Sequence, residues 1–384
     1  MPNSTRLLAL GILSLSLLTI MAGAAVSPAL ADIQAHLAGA KPTLTKMILT
    51  LPAVFIIPTS YSIGRWSGGF SKKRLALFGV CIYTVSGCWA FFATDIYMLL
   101  ASRAVLGVAV GIIMPVAASL IADFYQGEQR MRMMGFNSAF ANFGGIIATF
   151  SSGLLASIDW RYAFLVYSAG IPVFIIGLLF IKEPNSTANH DKTAPRKKLP
   201  MQTYKMAFPG FLVFLGFYTI PTNIAVYLIT NKIGGPAEAG YALALSTGTA
   251  MILGLMVTRI RRIFGRLFVP SIIFMMLICH TLLGFTSSVL MVNIAMIANG
   301  YTLSMAIPYI MMRSTESSNG HNVGATSLVT SFIFLGQFFS PIVLDGIARI
   351  INSSDPTINF KIVAIGTGFV LVYSLFRISQ KPSV

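Results

Sequence analysis

Charged residues are scarce in this chain. Asp, Glu, Lys and Arg make up 10% of the 384 residues, whereas a typical soluble domain has about 25%. Hydrophobic residues make up 55%, and the mean hydropathy is +0.78. The scarcity of charge therefore excludes a set of soluble domains and predicts a single body embedded in a membrane.

Cysteine, histidine and common catalytic motifs are scarce or missing. The three cysteines lie in apolar runs, where buried thiols are expected rather than a disulfide or a metal site. The four histidines are scattered. The sequence has no G-x-x-x-x-G-K-[ST], H-E-x-x-H, G-x-S-x-G or C-x-x-C pattern, which argues against nucleotide hydrolysis and metal chemistry. We therefore expect no enzyme, no cofactor and no bound metal.

Acidic residues are outnumbered by basic ones, 11 to 27, for a formal net charge of +16. Such a balance often indicates a nucleic-acid partner. Here the basic residues form short clusters between apolar runs, such as Lys72–Arg74 and Arg259–Arg266. That placement is typical of loops on the inner side of a membrane. We expect no nucleic-acid partner, and we expect both termini on the cytoplasmic side.

Twelve apolar runs are each long enough to cross a bilayer as a helix, which takes about 20 residues. The first six lie near 7–30, 45–64, 75–94, 96–121, 133–157 and 162–181. The other six lie near 207–230, 239–258, 267–286, 289–312, 323–348 and 360–378. The first run begins like a signal peptide, but it is longer than the roughly 7–15 apolar residues typical of one. We interpret it as a transmembrane helix.

The runs divide into two similar sets. We predict a six-helix bundle at residues 1–181, a flexible cytoplasmic linker at 182–206 and a second six-helix bundle at 207–384. A basic loop follows both the second and the eighth span, and NSAFANF in the fifth span resembles TSLVTSF in the eleventh. Internal repeats of this kind are typical of secondary transporters, whose substrate site lies near the midplane.

Two stretches in the first half match a known family pattern. Residues Gly64–Lys73 fit the form G-x-x-x-D-R-x-G-R-R at the leading glycine and the last two basic residues, whereas Gly68 stands at the acidic position. The fourth span contains Arg103-x-x-x-Gly107-x-x-x-Gly111, which fits R-x-x-x-G-x-x-x-G.

Two more motifs, WRYAF at the start of the sixth span and LGQFFSP in the eleventh, occur in the matching order. Together the motifs resemble the major facilitator superfamily over essentially the whole chain. The resemblance implies an all-α membrane protein with twelve transmembrane helices in two six-helix pseudo-repeats. It also implies transport of a small molecule by alternating access.

The resemblance assigns residues to coupling and gating. The family's charged latch lacks its usual acid here, but Asp123 matches a neighbouring acidic position and is expected to pair with Lys72 or Lys73. Gly107 and Gly111 share one helix face, which permits close packing.

The resemblance implies that the first, fourth, seventh and tenth spans line the central cavity and that the fifth, eighth and eleventh flank it. Polar residues of these spans are the candidates for substrate binding. They are Arg103, Asn137, Asn142, Tyr218, Thr222, Asn223, Asn299, Tyr301 and Gln337. For each polar residue the alternative is an interhelical hydrogen bond. Arg103 is costly inside a span and is expected to face a partner or the cavity, or else to extend to the outer interface. A helix break is expected at Pro221.

No acidic residue falls at a predicted midplane. A polar, largely uncharged cavity that contains Arg103 suits neutral, amphipathic or anionic solutes better than cations. Asp32 and Asp345, at the outer ends of the first and eleventh spans, are the remaining proton-coupling candidates. Solvation at a loop end is the alternative for both. The fifth span has Gly144-Gly145 but lacks the Gly-Pro motif of many family antiporters.

We therefore predict a monomeric, proton-coupled transporter that exports drugs or metabolites across a bacterial plasma membrane. Proton-coupled uptake of a sugar, nucleoside or organic acid is the alternative. A membrane-embedded enzyme or a sensor is a more remote one.

Overall fold

The protein is all-helical in the part of the chain that the structure describes. A computed structural model describes residues 3–37, 39–66, 70–184, 199–318, 322–353, 355 and 357–379. Contacts between Cα atoms divide the chain into two compact units, Met1–Lys198 and Leu199–Val384.

The N-terminal unit is built from long helices joined by short turns. Its described helices are α1 (Asn3–Ala24), α2 (Leu30–His36), α3 (Pro42–Trp66), α4 (Lys72–Trp89), α5 (Ile96–Phe124), α6 (Gly127–Ala156) and α7 (Gly170–Phe180). A 3-10 turn at Ser27–Ala29 separates α1 from α2, and a 3-10 segment at Trp160–Ala169 precedes α7.

The C-terminal unit is built in the same way. Its described helices are α8 (Met201–Ala207), α9 (Pro209–Phe217), α10 (Thr219–Thr230), α11 (Pro236–Gly254), α12 (Val257–Phe264), α13 (Phe268–Phe285), α14 (Val289–Glu316), α15 (Asn322–Ile350) and α16 (Ile358–Ser379).

Eleven helical segments within the described residues are long and apolar enough to cross a membrane. The chain is therefore a multi-pass membrane protein, but the predicted count of twelve spans is not confirmed. The span expected at 239–258 corresponds to α11, which has 19 residues. The polar and small residues Ser246–Thr249 in its middle lower its hydropathy.

The predicted linker at 182–206 is too long at its C-terminal end. Residues 185–198 of it lie outside the described residues, but α8 begins at Met201, directly after Pro200. Thr203 and Ala207 on α8 are buried, and Thr203 Oγ1 donates to the carbonyl oxygen of Ser317 at 2.8 Å. α8 begins before the predicted end of the linker because tertiary contacts stabilise a helix in this polar segment.

The seventh span is broken near Pro221, as expected, but one turn before it. α9 ends at Phe217, Tyr218 lies between the helices, and Pro221 falls in the first turn of α10. Proline has no N–H to donate to the carbonyl four residues earlier, and its ring clashes with that carbonyl. The disruption therefore falls at Phe217–Tyr218 rather than at the proline itself.

Acidic residues at span ends start helices. Oδ1 of Asp95 accepts hydrogen bonds from the amides of Tyr97 and Met98 at 2.8 and 2.9 Å, at the start of α5. Oδ1 of Asp159 accepts one from the amide of Arg161 at 2.8 Å. Such caps pair amides that the helix itself leaves unbonded, which explains why these carboxylates lie at helix ends.

Glycines bring helices of the N-terminal unit into backbone contact. A Cβ atom on Gly107 would lie 2.5 Å from the carbonyl oxygen of Pro52 on α3, and one on Gly111 would lie 2.7 Å from Cβ of Thr59. Gly144 on α6 meets the backbone of Leu17 on α1 even more closely. The expected packing face of α5 is thus the one that contacts α3.

The C-terminal unit repeats these contacts between corresponding helices. A Cβ atom on Gly300 of α14 would lie 2.5 Å from the carbonyl oxygen of Ser246 on α11. Gly336 of α15 meets the backbone of Phe211 on α9. The same close approach of a glycine to a neighbouring backbone therefore joins α3 to α5 and α11 to α14. It likewise joins α1 to α6 and α9 to α15.

Gly107→Ala tests the close contact between α3 and α5. We expect a lower apparent melting temperature of the detergent-solubilised protein, because the added methyl group meets backbone atoms and such overpacking costs about 1–3 kcal/mol. Gly135→Ala on α6 is the matched control, since a Cβ there meets nothing within 4 Å and alanine favours helix by about 1 kcal/mol over glycine. Equal melting temperatures for the two variants would contradict the packing argument.

Candidate functional site

Arg103 on α5 is shielded from solvent, with an exposed fraction of 0%. Its guanidinium carbon lies 4.7 Å from the ring centroid of Tyr167 and 5.2 Å from that of Phe164. Nη2 donates to the carbonyl oxygen of Gly87 at 3.3 Å, and Nε donates to Oγ of Ser102 at 3.2 Å. Two aromatic faces and neutral oxygen atoms thus surround the charge.

Arg103 thus faces partners within the protein and does not extend to the outer interface, and its role in transport stays a prediction. A side chain at the outer interface would be exposed, whereas Arg103 is enclosed by α4, α5 and the segment Trp160–Ala169. The motif WRYAF indicated that segment, but nothing in residue spacing showed that its rings would cover the arginine. Nη1 of Arg103 and the hydroxyl of Tyr83 have no hydrogen-bond partner in the described part of the protein.

Arg103→Lys tests the stacked guanidinium. We expect a lower melting temperature and reduced transport, because an ammonium group cannot stack flat on two rings, and desolvated cation–π contacts are each worth up to about 2 kcal/mol. Arg132→Lys is the control, since Arg132 is exposed and lies 5.5 Å from the centroid of a single ring, Phe136. A variant as stable and active as the Arg132 control would show that the stacking contributes nothing.

The two asparagine candidates on α6 make different contacts. Oγ of Ser16 on α1 donates to Oδ1 of Asn137, so Asn137 joins the two helices. Nδ2 of Asn142 donates at 2.9 Å to the carbonyl oxygen of Ser138 in its own helix. Both asparagines are half-buried.

Asn299 and Tyr301 on α14 form interhelical hydrogen bonds. Nδ2 of Asn299 donates to Oγ of Ser246 on α11 at 2.9 Å. The hydroxyl of Tyr301 lies 2.8 Å from Oγ of Ser271 on α13, and both tyrosine and serine are buried. Both residues thus make an interhelical hydrogen bond, and their part in substrate binding stays a prediction. Gln337 is 5% exposed on α15.

The remaining polar candidates of the C-terminal unit meet in one connected group. Oγ1 of Thr222 donates to the carbonyl oxygen of Tyr218 at 2.6 Å, and Nδ2 of Asn223 lies 3.0 Å from Oγ1 of Thr222. Nδ2 of Asn359 on α16 lies 2.8 Å from Oδ1 of Asp345 and 3.5 Å from Oδ1 of Asn223. We call Thr222, Asn223, Asp345 and Asn359 the polar chain.

The polar chain places a carboxylate inside the unit. Asp345 is 9% exposed and Asn359 is 4% exposed, so the loop-end solvation considered for Asp345 is not observed. Asp32 is half-buried in the first turn of α2. Oδ1 of Asn359 has no hydrogen-bond partner in the described residues. Asn359 was missed because the sequence places it just before the last apolar run, where asparagine is unremarkable.

Lys72 and Lys73, at the start of α4, are held by groups of neighbouring helices. Nζ of Lys72 lies 2.5 Å from Oδ2 of Asp123 and 2.6 Å from Oγ of Ser119 on α5. Nζ of Lys73 donates to the carbonyl oxygen of Leu178 on α7 at 2.7 Å. Asp123 therefore contacts Lys72 rather than Lys73. Residues 67–69 of the degenerate motif, including Gly68, lie outside the described residues.

Glu183 was not singled out by sequence, yet it caps α4. Its carboxylate accepts hydrogen bonds from Oγ of Ser71 at 2.5 Å and from the amides of Lys72 and Lys73 at 2.8 and 3.1 Å. Partial burial raises the pKa of Glu183, but these hydrogen bonds and the charge of Lys72 outweigh it and lower the pKa below the usual 4.5. The arrangement holds the end of α7 against the start of α4.

Glu183→Gln tests this cap through pH. A lowered pKa in the folded protein means that the carboxylate stabilises the fold above its ordinary pKa and loses that effect as the pH falls through the lowered value. We expect the melting temperature of the wild type to drop more steeply below pH 4.5 than that of the variant. Glu128→Gln, at an exposed glutamate of α6, should keep the wild-type slope; identical slopes for all three proteins would contradict the cap.

No group of three or more His, Cys, Asp or Glu side chains that could hold a metal lies within the described residues. The three cysteines are free, with Cys81 exposed, Cys88 half-buried and Cys279 buried.

The sequence is similar to a described family and to curated relatives. Residues 12–341 match the family model of the Major Facilitator Superfamily. "Multidrug resistance protein 2" of Bacillus subtilis (strain 168) is 24% identical and covers 84% of both chains. "Quinolone resistance protein NorA" of Staphylococcus aureus (strain MSSA476) is 24% identical over 73% of this chain and 74% of its own length.

Solved transporters share the fold at lower identity. The nucleoside transporter NupG superposes with a TM-score of 0.76 at 10% identity, over 98% of this chain and 100% of its own. A bacterial homolog of the human lysosomal transporter Spinster, in an inward-facing and occupied conformation, has a TM-score of 0.70 at 15% identity over 100% of both chains.

The match covers most of the chain, and the relatives and structural neighbours are transporters rather than enzymes. The resemblance inferred from the motifs is therefore confirmed. The chain belongs to the Major Facilitator Superfamily and is a membrane transporter of a small molecule.

Proposed function

We propose that the protein exports neutral, amphipathic organic compounds in exchange for protons. The observation that carries the direction is the similarity to multidrug and quinolone resistance proteins over most of both chains. The solved nucleoside transporter is similar at 10% identity, which supports the fold but not uptake of a nucleoside.

The preference for neutral compounds follows from the placement of charge. Arg103 was the reason to consider anionic solutes, and its guanidinium is enclosed by aromatic rings. The polar candidates around the break in the seventh span are Tyr218, Thr222 and Asn223, all uncharged. Aromatic and amide side chains of this kind bind amphipathic molecules through ring contacts and a few hydrogen bonds.

Proton coupling is assigned to Asp345. An ionisable residue inside a membrane bundle is costly and is usually functional. Ionised Asp345 accepts a hydrogen bond from Nδ2 of Asn359. Once protonated, it can instead donate to Oδ1 of Asn359, which has no partner in the described residues, after the amide rotates. The polar chain thus accommodates both protonation states and links Asp345 to Asn223, beside the helix break.

The transport cycle is alternating access by the two halves. We assign gating to the Lys72–Asp123 ion pair, which ties α4 to α5. Gly107 and Gly111 would let α5 tilt against α3 without obstruction by side chains.

The proposed number of spans rests on helix length, and the proposed orientation rests on the charge of the loops. α11 has 19 residues, about 28 Å at 1.5 Å per residue, close to the hydrocarbon thickness of about 30 Å. We therefore assign it as the twelfth span, so that each half contributes six. An even number of spans puts both termini on one side, and the basic loops favour the cytoplasm as that side. We propose that the protein is a monomer in the plasma membrane of a bacterial cell.

Proteoliposomes distinguish the two directions of coupling. We expect an acidic lumen to drive accumulation of neutral amphipathic compounds, because protons leaving the lumen exchange for solute, and a protonophore should abolish it. Anionic and cationic compounds of similar size serve as the comparison. Accumulation driven only by an acidic exterior would overturn export and support the uptake of a sugar, nucleoside or organic acid.

Asp345→Asn should abolish gradient-driven accumulation while leaving downhill movement of solute measurable, because the proton site is lost and the fold is not. Asp355→Asn is the control, since Asp355 forms a half-exposed ion pair with Lys361 at 2.6 Å. Full gradient-driven accumulation by Asp345→Asn would remove Asp345 from the coupling mechanism, and Asp32→Asn would then be the next variant.

A further inference from the structure

α12 is a separate element rather than part of the ninth span. The turn Gly265–Leu267 divides it from α13, and Gly265 has a φ of +48°, a conformation that favours glycine. α13 has 18 residues, about 27 Å in length, so it nearly crosses a hydrocarbon core of about 30 Å by itself. α12 is therefore free to lie at the membrane surface.

The helix is amphipathic. At helical spacing its apolar residues share one face and its arginines share the other. Ile260 on the apolar face is buried and belongs to the core cluster that includes Phe268 and Met305. Ile263 on the same face is 72% exposed. The flanking Leu255 and Leu267 are 83% and 51% exposed, so half of the apolar face is docked on the protein and half is uncovered.

Four arginines of this region pair with no carboxylate in the part of the chain that the structure describes. They are Arg259, Arg261, Arg262 and Arg266, all exposed. The corresponding loop of the first half differs, because there Asp123 pairs with Lys72 and Glu183 accepts from the amides of Lys72 and Lys73.

We propose that residues 255–267, the interfacial segment, bind anionic phospholipids of the adjacent leaflet. Uncovered leucine and isoleucine beside the end of a membrane span match acyl chains. Exposed guanidinium groups that pair with no carboxylate among the described residues match phosphodiester headgroups; Nη1 of Arg261 donates to Sδ of Met312. An amphipathic helix of this composition lies in the interface with its apolar face toward the acyl chains, and clustered arginines add attraction to anionic lipid. Lipid binding by the interfacial segment depends neither on the substrate nor on the direction of transport.

Lipid binding to the purified protein in neutral detergent tests the proposal. Native mass spectrometry would follow titration with phosphatidylglycerol or phosphatidylcholine. We expect wild-type protein to bind phosphatidylglycerol more tightly. Arg259→Gln with Arg262→Gln should weaken the tightest phosphatidylglycerol site by about thirty-fold, since each basic residue near an anionic surface contributes about 1 kcal/mol. Binding of phosphatidylcholine should not change.

Arg130→Gln with Arg132→Gln, at two exposed arginines of α6, is the matched control and should keep wild-type affinity. Ile263→Gln should weaken the binding of both lipids, because it removes an apolar contact and leaves the arginines unchanged. Equal phosphatidylglycerol affinity in the Arg259/Arg262 variant and the wild type would overturn the proposal. Displacement of phosphatidylglycerol by millimolar inorganic phosphate would also overturn it, by showing a site for free anions rather than for lipid.

Discussion

Backbone contact between helices at glycine is the interaction on which both units depend. Lipid tails are as apolar as leucine, so apolar side chains gain little free energy by leaving lipid for a neighbouring helix. Close packing must therefore supply the free energy of helix association. Gly107 meets Pro52, and Gly300 meets the backbone at Ser246. These contacts set how each helix is rotated about its axis, and the rotation decides which polar residues point into the unit.

Buried polar groups in the two units are stabilised in different ways. Arg103 is surrounded by Tyr167, Phe164 and neutral oxygen atoms, an environment that holds a permanent charge in place. Oδ1 of Asp345 lies 2.8 Å from Nδ2 of Asn359, and an asparagine side chain can both donate and accept. We therefore propose a structural role for Arg103 and keep proton coupling at Asp345 as a proposal.

The loops after the second and eighth spans show a related contrast. After the second span, Lys72 pairs with Asp123 and Lys73 donates to the carbonyl oxygen of Leu178. Both ammonium groups therefore contact groups within the protein. Arginines of the interfacial segment have no such partners among the described residues. One half thus uses its basic loop as an internal contact, and we infer that the other uses it to contact lipid.

Composition, apolar run length and motif order were enough to predict a helical membrane protein, its family and the approximate position of most spans. They suffice because every backbone polar group in lipid must be paired within its own segment, so about 20 apolar residues define a helix. The proline at position 221 also predicted a helix break near it, but not that the break lies at Tyr218. The residues that surround Arg103, and the joining of Asn223 to Asn359 across 136 positions, were decided only by the tertiary structure. Hydrogen bonds between helices depend on how each helix is rotated and packed, and spacing along one helix does not determine what faces it from another.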